Sequence, residues 1–318
     1  MTTVSLSDDL HQDLSAYVIK LLQKNRIATI YDFVRADTDR LLRITNLSFE
    51  LVSAIKRDFT NRYSGNTVRV AEYFRYLSEL VDPIPTGIRG LDALLDGGLL
   101  PGHVMEVFGE PACGKSQLCM TIAANAASRG NVDVFYVDTK CDFSATRVQS
   151  MLRAKKCSEV DASEAMQRIK VERIHSPEQL LGTLEELLAQ IDRQERFRKF
   201  RVLLVDSLPA LWYAHQNSSS SCYPVGMLTS LAGLLRKLAS ENMIAVVVVN
   251  LRIVSTDSRT IQPALGRHWE MVPTTRLLLS KLPNAGQTEQ NRLISVAKSN
   301  YLKTNDRQMV SLSERGFV

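Results

Sequence analysis

Gly109-Glu110-Pro111-Ala112-Cys113-Gly114-Lys115-Ser116 satisfies the pattern G-x-x-x-x-G-K-[ST] at every fixed position. Its surroundings agree with it. Val104-Met105-Glu106-Val107-Phe108 is a short apolar run that reads as a buried strand entering the loop, and Gln117 to Ala127 reads as an Ala-rich helix leaving it. Glycines at both ends let the backbone adopt conformations that a Cβ would block, so consecutive N–H groups can turn inward on phosphate oxygens. Lys115 adds a mobile positive charge, Ser116 offers a hydroxyl to Mg²⁺, and the positive end of the helix dipole completes an anion site.

The rest of the composition bounds what such a site belongs to. With 318 residues, 45% hydrophobic and 23% charged, the sequence has the apolar content for a sizeable core and a length that suggests about two domains. No run approaches the roughly 18 uncharged apolar residues of a membrane span, and Met1 to Leu10 lacks the basic and apolar regions of a signal peptide, so an intracellular protein is expected. Five cysteines (Cys113, Cys119, Cys141, Cys157, Cys222) contain no C-x-x-C pair, and the five histidines are scattered; neither a disulfide framework nor a zinc site is indicated. A net charge of +5 is compatible with a polyanionic partner without requiring one.

Residues 1 to about 62 read as a small helical domain. Ser7 with Asp8 and Asp9 is the expected start of a helix carrying Leu14, Val18, Leu21 and Leu22 on one face. Short helices follow Thr29 and run near Asp39 to Ile44, and Ser48 caps a fourth with Leu51, Val52, Ile55 and Phe59 facing inward. Bundles of this kind contact nucleic-acid backbone or dock a protein, and the residues do not choose between the two. Residues 63–85 read as a linker closed by Pro83 and Pro85, and residues 86–318 as the nucleotide-binding core.

Within that core, strand and helix patterns alternate. Val132 to Asp138, Ile169 to Ile174, Arg201 to Ser207 and Ile244 to Asn250 read as strands; Ser144 to Ala154, the Leu180-Leu181-Leu184-Leu187-Leu188-Ile191 stripe after Pro177, and Pro224 to Ser240 read as helices. Alternation of this kind predicts a mostly parallel sheet covered on both faces. Asp206 falls at the carboxyl end of its strand, where ligands of open α/β sheets bind and where a Walker B carboxylate would serve Mg²⁺. Thr274 to Leu282, Arg292 to Lys298 and Gln308 to Leu312 predict a late β-meander.

Two loops are expected to open on one face of the sheet. Tyr213 to Tyr223 is polar and low in complexity; Arg252 to Gly266 carries Arg252 and Arg259, with Arg267 and Trp269 close behind. Basic and aromatic groups there suit a nucleic-acid backbone and a stacked base, and equally suit plain surface loops. The run Arg193 to Arg201 reads as a solvated helix end entering a strand.

These residues resemble one family. Gly109 to Ser116, the strand Val202 to Asp206, the opening Thr86-Gly87-Ile88-Arg89-Gly90-Leu91-Asp92-Ala93-Leu94-Leu95, and Pro263-Ala264-Leu265-Gly266-Arg267-His268-Trp269 leading into Pro273 to Leu277 are similar to the RecA/RadA recombinases. The wording Ala-Leu-Gly-Arg-x-Trp resembles the eukaryotic recombinase paralogues, most closely their delta branch. The resemblance implies a RecA-like P-loop ATPase core, with a C-terminal β-meander, preceded by a small all-α bundle. ATP and Mg²⁺ are the implied cofactors, held by Gly109, Glu110, Pro111, Ala112, Cys113, Gly114, Lys115, Ser116 and Gln117, with Ser116 and Asp206 on the metal and Arg147 near the adenine. It further implies single-stranded and branched DNA as ligands through Arg252, Arg259 and Arg267, hetero-oligomers with other recombinase paralogues, assistance to the main strand-exchange recombinase, no membrane, and a nuclear location.

Departures from the family pattern bear on mechanism. Active recombinases carry a water-activating glutamate after the second core strand; here Asp138-Thr139 is followed by Lys140. A lysine ammonium accepts no proton at neutral pH unless its pKa falls far below about 10.4. Leu251 stands where the family has a glutamine that relays nucleotide state to the DNA loops, and the family's Asp-Ser-Pro cap has no clear equivalent around Lys298-Ser299-Asn300. No phenylalanine-anchored assembly motif occurs near Val68 to Ala71. The expected function is an ATP- and DNA-binding accessory protein of homologous recombination and double-strand break repair with weak or no ATP hydrolysis. A self-sufficient strand-exchange ATPase and a structural subunit with a vestigial nucleotide site are the alternatives.

Overall fold

The structure, a computed structural model, describes residues 4–63, 69–71, 82–155, 157–193, 200–212, 222–254, 261–282 and 290–318. The chain divides into two compact units, Met1–Tyr76 and Leu77–Val318.

In the first unit, α1 (Ala16–Lys24), α2 (Ile30–Arg35), α3 (Thr38–Thr45) and α4 (Phe49–Tyr63) enclose Leu14, Leu22, Phe33, Leu41, Val52, Ile55 and Phe59. Side-chain caps decide where the helices begin. Ser15 accepts the Val18 N–H at α1, Thr29 and Asp32 form a reciprocal capping box at α2, Asp37 accepts from Arg40 at α3, and Ser48 accepts from Leu51 at α4. The expected helix start at Ser7 is therefore corrected to Ser15. Residues around Ser5 are extended instead: the Leu6 N–H donates to the Ala28 carbonyl at 2.8 Å, and Ser5 bridges Thr29.

Among the described residues of the second unit, the first helix is α5 (Arg89–Leu94). Asp92 shapes its entrance by accepting from the Thr86 N–H (2.7 Å), the Thr86 hydroxyl (2.6 Å) and the Gly87 N–H (3.0 Å). There follow β1 (Val104–Gly109), α6 (Lys115–Ala127), β2 (Asp133–Asp138), α7 (Ala145–Ala154), α8 (Glu159–Gln167), β3 (Ile169–Arg173) and α9 (Pro177–Arg193). Next come β4 (Phe200–Asp206), α10 (Leu208–Trp212), α11 (Cys222–Asn242), β5 (Ala245–Val254) and β6 (Ile261–Pro263). The unit ends with α12 (Gly266–Glu270), β7 (Thr275–Lys281), β8 (Asn291–Ser299), β9 (Arg307–Ser313) and β10 (Gly316–Phe317).

The sheet has the order β10-β9-β8-β7-β1-β5-β4-β2-β3, with β6 paired to β5. Pairs from β7 across to β3 are parallel, whereas β7–β8, β8–β9 and β9–β10 are antiparallel, giving the expected core and meander. Alternation along each strand divides the apolar residues between two faces. Val134, Tyr136, Val202, Leu204, Val247 and Val249 pack with α6, α7 and α8; Phe135, Val137, Leu203, Val205, Val246 and Val248 pack with α9 and α11. None of the described helices is long and apolar enough to cross a membrane.

The structure adds α8, α10, β6, α12 and β10, and it moves one boundary that matters. The strand expected to end at Asn250 continues to Val254 and pairs antiparallel with β6, Arg252 opposite Pro263. Backbone pairing thus outruns the apolar stretch, and Arg252 belongs to a strand, not to the start of a loop. The polar loop at residues 213–221, residues 194–199 of the basic run, and Arg259 lie outside the described residues.

Candidate nucleotide-binding site

β1 and β4 deliver the phosphate loop and Asp206 to the same carboxyl edge of the sheet, with β5 between them. Gly109 cannot carry a side chain, because a Cβ there would meet the Leu279 carbonyl oxygen at 2.2 Å. Gly114, the N-cap of α6, has φ 106°, a region glycine adopts without strain. Its open face is covered by Phe317, whose ring lies 3.0 Å from where a Gly114 Cβ would stand, and the Phe317 N–H donates to Thr121 Oγ1 at 3.1 Å.

Lys115 is buried, and its Nζ donates to the carbonyls of Gly109 (2.9 Å) and Glu110 (2.7 Å). Burial lowers its pKa from the ordinary lysine value. A phosphate bound here would compete with these two carbonyls for the ammonium. The Arg292 Nε donates to the Cys113 carbonyl at 3.0 Å, fixing the outer side of the loop.

Asp206 is almost wholly buried. Its Oδ2 accepts from the Tyr136 hydroxyl at 2.9 Å, while Oδ1 is buried with no hydrogen-bond partner among the described residues. Burial pushes its pKa up, against the opposing pulls of the Ser116 hydroxyl, Lys140 and Tyr136. An unused buried carboxylate oxygen is costly. Beside the Ser116 hydroxyl it makes an oxygen-only donor set, which fits Mg²⁺ with its preference for hard ligands and retained waters. When bound, Mg²⁺ would neutralise phosphate charge.

The residues after β2 are arranged around Asp138. Its Oδ1 accepts from the N–H groups of Lys140 (3.2 Å) and Asp142 (3.1 Å), and its Oδ2 from Phe143 (3.0 Å). Lys140 Nζ pairs with Asp142 at 2.9 Å. Burial alone would lower the Lys140 pKa, but Asp142, Asp206 and Asp138 outweigh it and raise the value above that of a free lysine, so this side chain is a cation at neutral pH. Pro111, Lys115, Ser116, Lys140, Leu251 and Arg292 all line one cleft of about 400 Å³.

Arg147 donates to Gln117 Oε1 (2.9 Å) and to the carbonyls of Ser313 (2.6 Å) and Glu314 (2.9 Å), tying α7 to the end of β9 beside the cleft. Arg252 is half-buried and ion-paired with Glu110, and Arg267 is exposed on α12. Arg259, the third arginine read as a nucleic-acid contact, lies outside the described residues. Sequence reasoning missed Tyr136, Arg292 and Phe317. Tyr136 was visible as a polar-tipped residue one turn of pleat before Asp138; the other two carry no local signal.

Fold and site together define a RecA-like phosphate-loop α/β core. A family model described as Rad51 matches residues 78–317, and the chain belongs to that family. It is 32% identical over 305 residues to DNA repair protein RAD51 homolog 4 of Bos taurus, covering 95% of this chain and 93% of that protein. The Mus musculus protein of the same description is 32% identical over 306 residues, with the same shares covered. A crystal structure of the RadB recombinase matches with a TM-score of 0.61 and 24% identity, covering 74% of this chain and 98% of that one, a likeness of fold.

Proposed function

We propose that this protein is an ATP- and DNA-binding accessory subunit of homologous recombination and double-strand break repair, with little or no ATP hydrolysis of its own. It acts in the nucleus, in hetero-oligomers with other recombinase paralogues, on single-stranded or branched DNA and alongside the main strand-exchange recombinase. Support for the repair role comes from family membership and from relatives described as DNA repair proteins. Support for nucleotide comes from Lys115 and Ser116, which line one cleft, and from the buried carboxylate of Asp206, on which the Ser116 hydroxyl acts.

The observation that carries weak hydrolysis is the state of the acidic groups near the cleft. In-line attack needs a group that accepts or orients the proton of water. Lys140 is held as a cation by Asp142, and Asp138 spends its carboxylate on three N–H groups, so neither aspartate is left as a base. This disfavours the self-sufficient strand-exchange ATPase.

Magnesium ATP binding and turnover by the full chain, with and without oligodeoxythymidine, test the reading beside Lys115→Ala and Lys140→Glu. Tight binding, turnover near background, loss of binding in Lys115→Ala and a rise of about tenfold or more in Lys140→Glu are expected. Brisk DNA-stimulated turnover by the native chain would promote the strand-exchange ATPase. Absence of binding would leave a structural subunit.

A further inference from the structure

One ion pair crosses from the phosphate loop to the strand beside it. The Arg252 guanidinium on β5 meets the carboxylate of Glu110, the second residue of the loop, 142 positions away in sequence. Side-chain exposure is 22% for Arg252 and 45% for Glu110, so the pair is sheltered without being sealed. The Arg252 Nε is buried and has no hydrogen-bond partner among the described residues.

Glu110 introduces an acidic group into a loop suited to anions. Its own carbonyl, with that of Gly109, already holds Lys115 Nζ. A bare carboxylate in this position would repel the phosphates that Lys115 and the loop N–H groups attract, and at short range near a protein surface such repulsion is not screened away. We propose that Arg252 is the counter-charge of the phosphate loop: a positioning residue of the nucleotide site that neutralises Glu110 and fixes its carboxylate, and not a nucleic-acid contact. The inference rests on the nucleotide-binding reading above. It assigns Arg252 by where its guanidinium points, inside a paired strand and onto the loop.

Calorimetric titration of the full chain with magnesium ATP tests it in four variants. Arg252→Ala weakens binding by about tenfold, and the deficit shrinks as salt is raised. In a Glu110→Gln background, where no charge needs neutralising, the same Arg252→Ala change costs less than about threefold. Arg252→Lys keeps most of the affinity. Mere loss of packing at Arg252 would instead leave the double variant as weak as Arg252→Ala. Salt dependence of oligodeoxythymidine binding is unchanged in Arg252→Ala. Equal losses in both backgrounds, no loss in either, or a salt slope reduced by about one phosphate contact overturns the assignment. If the native chain binds no nucleotide, the nucleotide reading itself fails, an outcome separate from native binding that Arg252→Ala leaves untouched.

Discussion

Asp206 has one oxygen on Tyr136 and the other on no described partner, and burial holds its pKa above the usual aspartate value of 3.8. A carboxyl raised in the folded state favours the fold most when protonated. Its contribution is complete below that ordinary value and is lost as pH climbs through the raised one. Asp206→Asn is accordingly expected to melt at higher temperature than the native chain at neutral pH, by about 2–4 °C per kcal/mol recovered, and to abolish the magnesium dependence of nucleotide affinity. Melting curves across the acid-to-neutral range check this; a lower Tm at neutral pH with magnesium dependence intact would refute it. The phosphate-loop residues were legible because their chemistry is local, set by spacing over eight positions of the sequence. The Glu110–Arg252 pair and the cover of Phe317 were not, since each joins residues well over a hundred positions apart.

At the scale of elements, β1, β5, β7 and α12 are locked by one buried acid. Glu106 is fully buried and accepts from Asn250 Nδ2 (2.7 Å), Trp269 Nε1 (2.7 Å) and the Arg276 Nε, while Asn250 also donates to the Ala264 carbonyl at 2.9 Å. Glu106→Ala strands the buried guanidinium of Arg276 and is expected to cost about 3–5 kcal/mol, read as a lower denaturant midpoint at unchanged slope. Adding Arg276→Met, which removes the orphaned charge, recovers part of that loss; a double variant weaker than the single would contradict the account. Periodicity disclosed the alternating strands and helices because burial on two faces imposes it on each segment separately. It did not disclose the overrun of β5, where Arg252 interrupts the apolar run while the backbone goes on pairing with β6. Nor did it disclose α8, whose mixed pattern over Glu159–Gln167 buries only Ala162 and Ala165.

At the scale of the molecule, the amino-terminal unit has its own apolar core, built from Leu14, Leu22, Phe33, Ile55 and Phe59 among others. A fragment of residues 1–76 is therefore expected to give a helical circular-dichroism spectrum and a cooperative melt. Leu22→Ala should cost about 2–5 kcal/mol, enough to unfold a domain of this size; a non-cooperative native fragment would show that the core needs the rest of the chain. The larger unit follows a different timetable. Gly114 opens α6, yet the aromatic lid over it, Phe317, is tied to Thr121 across 196 positions. A ribosome adding about 5–20 residues per second needs roughly ten to forty seconds to traverse that interval. Throughout it, the nascent helix stands without its lid, so the turn at Gly114 is covered only after every parallel strand of the sheet has been synthesised.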